Sequence, residues 1–182
     1  MVEITPAAAA PGPFQAYVAT LFQALGDRDP VESMRATPAA LRKAVAGLSP
    51  SQMGRAEAPG KWSVRQVVQH LADAELVGGF RFRMVLAHDG PPLPGYDQDA
   101  WASGLHYEES DWEAAVEDFA RLRAANLRLI GRATPADFAR HMVHSERGNE
   151  SLGYMIRMYG GHDLVHLAQV ARIRRAVGAP LS

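Results

Sequence analysis

A chain of 182 residues, 47% hydrophobic and 21% charged, has the size and makeup of one globular domain with a substantial core. Its formal net charge of −1 supplies no global field toward nucleic acid or an anionic membrane surface. Cysteine is absent, which excludes disulfides, thiolate ligands and a cysteine nucleophile, so a transition-metal site has only His, Asp and Glu to draw on.

Residues 1–13 are rich in Ala and Pro, lack the basic start of a signal peptide, and read as a flexible arm ahead of a single domain over residues 14–182. No apolar run approaches the ~18 residues of a membrane span, and the cytoplasm is the expected location. A first helical region covers residues 14–25 and resumes after Asp29-Pro30. Thr37-Pro38 restarts it, with Thr37 as N-cap, and Ser49-Pro50 marks its exit. Ser63 and Gln66 have capping-box spacing and open a second long helix, in which Val64, Val67, Val68, Leu71, Val77, Phe82 and Val85 recur with helical period. Residues 89–109 form a long connection carrying Tyr96, Asp97, Trp101 and His106, of a length that tends to be functional. Ser110 with Glu113 suggests a capping box for a third helix reaching residue 131. Thr134-Pro135 opens a short turn, and Asn149 or Ser151 starts a last helix that ends at Val177 before Gly178. Four principal helices and no clear alternating strand pattern predict an all-α four-helix bundle with a long crossover loop.

Three histidines stand out on these helices. His162 and His166 are four residues apart, so they stack one turn apart on one face of the last helix. At about 100° per residue they fall in the same arc as Met155, Ile156, Tyr159, Val170 and Ile173. His70 takes the core-facing side of the second helix. Two imidazoles at this spacing can chelate one cation, and a third from a neighbouring helix completes a facial set. The competing reading is three separate core histidines, each satisfied by hydrogen bonds, since this short spacing recurs by chance in helices. His88, His106 and His141 read as surface residues, while His144 lies close enough to the last helix to approach the site.

The segments Gly60-Lys61-Trp62-Ser63-Val64, His70-Leu71-Ala72-Asp73-Ala74-Glu75 and Gly161-His162-Asp163-Leu164-Val165-His166-Leu167-Ala168-Gln169-Val170 resemble the DinB/YfiT-like superfamily of metal-dependent bacterial proteins. Pro91-Pro92-Leu93-Pro94-Gly95-Tyr96-Asp97 and Trp101 are similar to its YfiT branch. The resemblance spans most of residues 29–177. It implies a DinB-like bundle, a divalent metal held by His70, His162 and His166, and a homodimer.

Three neutral imidazoles leave coordination positions open, which suits a catalytic site. An open position can acidify water or hold a thiolate. The families similar to this one imply two enzymatic uses. The first reading is thiol-dependent S-transfer to a small-molecule electrophile, with a low-molecular-weight thiol such as bacillithiol. The second is metal-dependent hydrolysis, and a non-catalytic metal-binding or stress-response module is a further alternative. Zinc or nickel suits imidazole ligands. Glu75, acidic on an apolar face, is the candidate base, imidazole orienter or partner of an arginine such as Arg81. Asp73 reads as solvated and Asp163 as diverging from the histidine pair. Tyr96 and Trp101 are candidates to line a substrate entrance. Arg172, Arg174 and Arg175 end a helix, where cations meet its dipole, and no recognition motif accompanies them, so no nucleic-acid partner is expected.

Overall fold

The computed structural model describes residues 13–179; the expected arm lies outside them except for Pro13, with which the first helix begins. The helices are α1 (Pro13–Leu25), α2 (Pro30–Val45), α3 (Pro50–Gly54), α4 (Val64–Ala87), α5 (Gln98–Gly104), α6 (Trp112–Ile130) and α7 (Leu152–Ala176). α4 packs on α6 and α7, and α2 packs on the same two, which makes a four-helix bundle; α1 lies along the outer side of α7. Among the described residues no helix is long and apolar enough to cross a membrane.

The helix boundaries follow local chemistry. Ser63 accepts from the backbone N–H of Gln66 while the Gln66 side chain accepts from the Ser63 N–H, as the spacing predicts. Ser49 and Gln52 make the same reciprocal pair, so Ser49-Pro50 opens α3 instead of merely ending α2. The capping box expected at Ser110 does not form. Its hydroxyl donates to the Tyr107 carbonyl, and the Asp111 carboxylate caps α6 by accepting from Glu113 and Ala114. Ser151 caps α7, and Asn149 belongs to a strand instead.

Thr37-Pro38 does not restart a helix either. α2 runs unbroken through Pro38, and Thr37 is buried with its hydroxyl donating to the Ser33 carbonyl. Proline in a helix interior leaves the carbonyl four residues back without its usual donor. Here that carbonyl belongs to Met34, and it accepts instead from the Arg123 guanidinium of α6 at 2.8 Å.

A small sheet escapes the sequence reading. β1 (Pro92–Leu93) runs parallel to β2 (His141–His144), which pairs antiparallel with β3 (Gly148–Ser151). Strands of two to four residues are too short to show an alternating pattern. The sheet and α5 give the long connection a fixed path, and Arg140 ties the sheet to the end of α4 through the Val85 and His88 carbonyls.

The core has two apolar ends. Leu41, Val67, Leu71, Phe119 and Ile173 belong to one, and Met34, Phe82, Ile130, Met142 and Ile156 to the other. On α4, α6 and α7 the segment between these clusters carries the buried polar residues: His70, Glu75 and Arg81, then Arg123 and Asn126, then Asp163 and His166. The chain thus sets a polar layer across the middle of its bundle.

The close packing of α1 and of the start of α2 on α7 depends on Gly161 and Gly160, which carry no side chain. A Cβ on Gly161 would collide with the Leu21 carbonyl, and one on Gly160 would press on Pro30 at 3.3 Å. Gly161→Ala should therefore destabilise the fold by about 1–3 kcal/mol, the usual cost of overpacking. Urea denaturation followed by circular dichroism checks this, with Gly54→Ala, where a Cβ meets open space, as the control.

Candidate metal centre

His70 of α4 and His162 and His166 of α7 converge in the polar layer. Nε2 of His162 lies 3.1 Å from Nε2 of His70 and 3.1 Å from Nε2 of His166. Ligand atoms of all three lie within 4.8 Å of one another. Trp62 packs against His70, with ring centroids 5.0 Å apart. The His166 Nδ1–H donates to Gln169 Oε1 at 2.8 Å, which leaves the His166 Nε2 lone pair facing the other two rings. Nδ1 of His70 is buried and has no hydrogen-bond partner among the described residues.

Burial sets the protonation of the three rings. It pushes His70 down to about 3, aided by the neighbouring His166, and it pushes His162 and His166 down as well. Each is therefore held in the neutral form, which is the form that ligates metal. Three neutral rings gathered this closely lack enough protons to satisfy one another's nitrogens. A cation shared among them resolves this. The spacing suits a shared ion: the Nε2 atoms of His70 and His166 each lie 3.1 Å from that of His162, and all three ligand atoms lie within 4.8 Å of one another.

Behind the triad lies a buried ion network. Arg123 of α6 donates to Glu75 at 2.8 Å, to the two oxygens of Asp163 at 2.5 and 3.0 Å, and to the Met34 carbonyl. Asn126 donates to Glu75 Oε1 at 2.8 Å and to the Glu75 carbonyl at 3.1 Å. Burial alone would depress the guanidinium, but the Asp163 and Glu75 carboxylates outweigh it and hold Arg123 firmly charged. Burial raises Glu75 above the usual carboxylate range, against the pull of Arg123 and Asn126.

This places the acidic candidates. Both carboxylate oxygens of Glu75 are engaged by Arg123 and Asn126, and Glu75 is not among the residues lining the cavity described below. The expected partner Arg81 bonds the Pro94 carbonyl instead. Asp163 does turn away from the histidines, and it does so to meet Arg123. Asp73 is not simply solvated: it accepts from the Tyr107 hydroxyl and from Gln69. Arg123 and Asn126 were missed, although a signal existed. They sit in helical register with Ala115, Val116, Phe119 and Ile130, on the stripe of α6 that faces the core.

A cavity of about 270 Å³ opens onto His70 and His162. α1 gives it Phe14, Tyr17 and Leu21, α4 gives Ala74 and Arg81, and α7 gives Met158 and Tyr159. Tyr96, Gln98 and Arg147 close the other side. Of the two aromatic candidates for the entrance, Tyr96 lines this cavity. Trp101 packs behind it, with ring centroids 4.6 Å apart, and lines a neighbouring apolar groove with Leu76 and Phe80. The walls from α1 and Arg147 were not legible beforehand, since nothing local marks them as neighbours of the histidines. His144 is buried in β2 with Nδ1 accepting from the Glu146 N–H, and it does not join the triad. His88 and His106 are exposed. The arginines ending α7 form no patch: Arg172 pairs with Glu57, and Arg174 is buried against the Ala44 and Ala46 carbonyls.

Comparison with known proteins agrees with this architecture. Residues 33–170 match the family model described as DinB superfamily, and the chain belongs to that superfamily. A Geobacillus thermodenitrificans protein named "Putative metal-dependent hydrolase" is 30% identical over 92% of this chain and 93% of its own. The Bacillus subtilis protein "Putative metal-dependent hydrolase YfiT" is 27% identical over 81% of this chain and 84% of its own. The solved structure of B. subtilis YfiT, described as having an unusual four-helix bundle topology, superposes with a TM-score of 0.77 at 24% identity. The superposition covers 98% of this chain and 95% of that one, and establishes a shared fold.

Removing one partner from a buried ion cluster strands the others. Arg123→Met should cost about 3–5 kcal/mol by leaving Glu75 and Asp163 without their cation. Chemical denaturation of that variant beside Arg121→Met, whose pair with Asp118 is exposed, measures the difference.

Proposed function

We propose that the chain is a metal-dependent hydrolase that holds one divalent ion, zinc or nickel, at the Nε2 atoms of His70, His162 and His166. The observation that carries this reading is the convergence of three neutral imidazoles, from two helices, onto one point at the edge of a cavity. An ion held there by three neutral ligands supplies Lewis acidity and acidifies water, with positions left open toward the cavity. The names of the relatives support hydrolysis as the reaction.

The chain's own residues do the remaining work. Phe14, Leu21 and Met158 exclude bulk water from the cavity, which strengthens electrostatic contacts inside it. Burial raises the Tyr96 and Tyr159 hydroxyls, so both stay protonated and can donate to negative charge developing on a substrate. Gln169 fixes the tautomer and ring plane of His166. Among the described residues lining the cavity there is no carboxylate, so Glu75 serves this reading as a positioning residue behind the triad.

Thiol-dependent S-transfer would use the same open positions. The cavity-lining residues carry no feature specific to a thiol cosubstrate.

Elemental analysis of the purified protein should find one divalent metal per chain, lost in His70→Ala and in His166→Ala while the helices remain formed. Unchanged metal content in either variant would overturn the ligand set. The metal-loaded protein should hydrolyse members of a panel of activated esters and amides without added thiol. Turnover only when a low-molecular-weight thiol is supplied would replace hydrolysis by S-transfer. Gln169→Ala should weaken metal affinity by about 10–100-fold, as loss of an imidazole's outer partner does, read by competition with a chelating dye.

A further inference from the structure

Arg81 is 6% exposed and lines the cavity that opens onto His70 and His162. Its hydrogen bonds go to neutral groups. It donates to the Pro94 carbonyl at 2.9 Å and interacts with the Tyr159 hydroxyl. Among the described residues no carboxylate lies within 4.0 Å of it. The contrast with its neighbours is informative. Arg123, also buried, is held by two carboxylates. Arg147, which also lines the cavity, is bound through two nitrogens to Glu150 at 2.6 and 2.9 Å, with its guanidinium over the Phe14 ring. A buried guanidinium without an anion is costly to maintain. Its planar fork matches a carboxylate better than any neutral acceptor does.

The helix places this cation relative to the triad. His70, Ala74 and Arg81 all line the cavity from α4, with the small Ala74 between the other two in sequence. At 1.5 Å per residue the His70 and Arg81 backbones stand about 16 Å apart along the axis, an interval that the reach of the arginine shortens. Leu21, Met158 and Phe14 give the cavity an apolar lining.

We propose that Arg81 forms an anion subsite at the end of the cavity remote from His70, and that the substrate is a small organic carboxylate with an apolar body. The carboxylate pairs with Arg81, the apolar body lies along Leu21 and Met158, and the reacting group faces the triad. Gln98 lines the same cavity and offers an amide donor to it. The subsite rests on the reading of this cavity as the reaction site, but the binding itself requires no metal.

Hexanoate and its uncharged counterpart hexanamide test this in the full-length protein, by calorimetry, as purified and after treatment with a chelator. Hexanoate should bind at a single site in both preparations, and hexanamide at least about tenfold more weakly, the worth of one charge-assisted pair. Arg81→Met should erase the preference for the acid, and Arg81→Lys, which keeps the charge but loses the fork, should fall between. Equal affinity for acid and amide overturns the subsite, as does an acid preference that survives in Arg81→Met. An acid preference that vanishes with the metal also overturns it, because the anion would then be bound by the ion. Should Arg81→Met not fold, the acid-to-amide ratio of the wild type and of Arg81→Lys still decides. A failed metal analysis leaves these outcomes untouched, so the two readings stand or fall separately.

Discussion

One buried cation organises the centre of this molecule. Arg123 projects from α6 and bonds α2 through the Met34 carbonyl, α4 through Glu75 and α7 through Asp163, so a single guanidinium touches every other helix of the bundle. A charge this deep is tolerated only with full compensation, and compensation fixes geometry: two carboxylates and a carbonyl must all arrive at one point. The carbonyl is available because Pro38 withholds the donor it would otherwise meet. The triad inherits this order. Asp163 directly follows His162, so pinning Asp163 to Arg123 sets the rotation of α7, and with it the direction of both of that helix's histidines.

The small residues of the polar layer serve the same end. A Cβ on Gly79 would strike the Asn126 amide that holds Glu75, and one on Gly78 would strike the Tyr159 ring. Gly161 admits the α1 backbone, whose Phe14, Tyr17 and Leu21 then wall the cavity. Glycine inside a long helix costs backbone entropy, and here each one yields a close approach that any side chain would forbid.

The bundle and the triad were legible in the sequence because both depend on helical period. His162 and His166 announce themselves by spacing, Ser63 and Gln66 by their cap, and the inward arc of α7 by its apolar residues. What was illegible depends on contacts between distant segments. Nothing near Glu75 says that its partner is Arg123, 48 residues on, and not Arg81. Pro38 looked like a boundary because proline usually breaks a helix, and only the guanidinium arriving from α6 explains its place within one. The three short strands carry too few residues to register as a pattern, and their pairing is set by the chain's return from α6 to α7.

His70 and His162 are 92 residues apart in the chain, yet their Nε2 atoms meet. In an unfolded chain the pair on α7 remains as near neighbours, while the third ring is lost to a loop of that length. Anything that grips all three rings therefore acts as a removable cross-link, closing that loop in the native state and having no equivalent site in the denatured one. For an ion held there, the thermal resistance of the bundle and the occupancy of its centre would be a single linked equilibrium, in which the concentration of available ion sets how firmly α4 and α7 stay together.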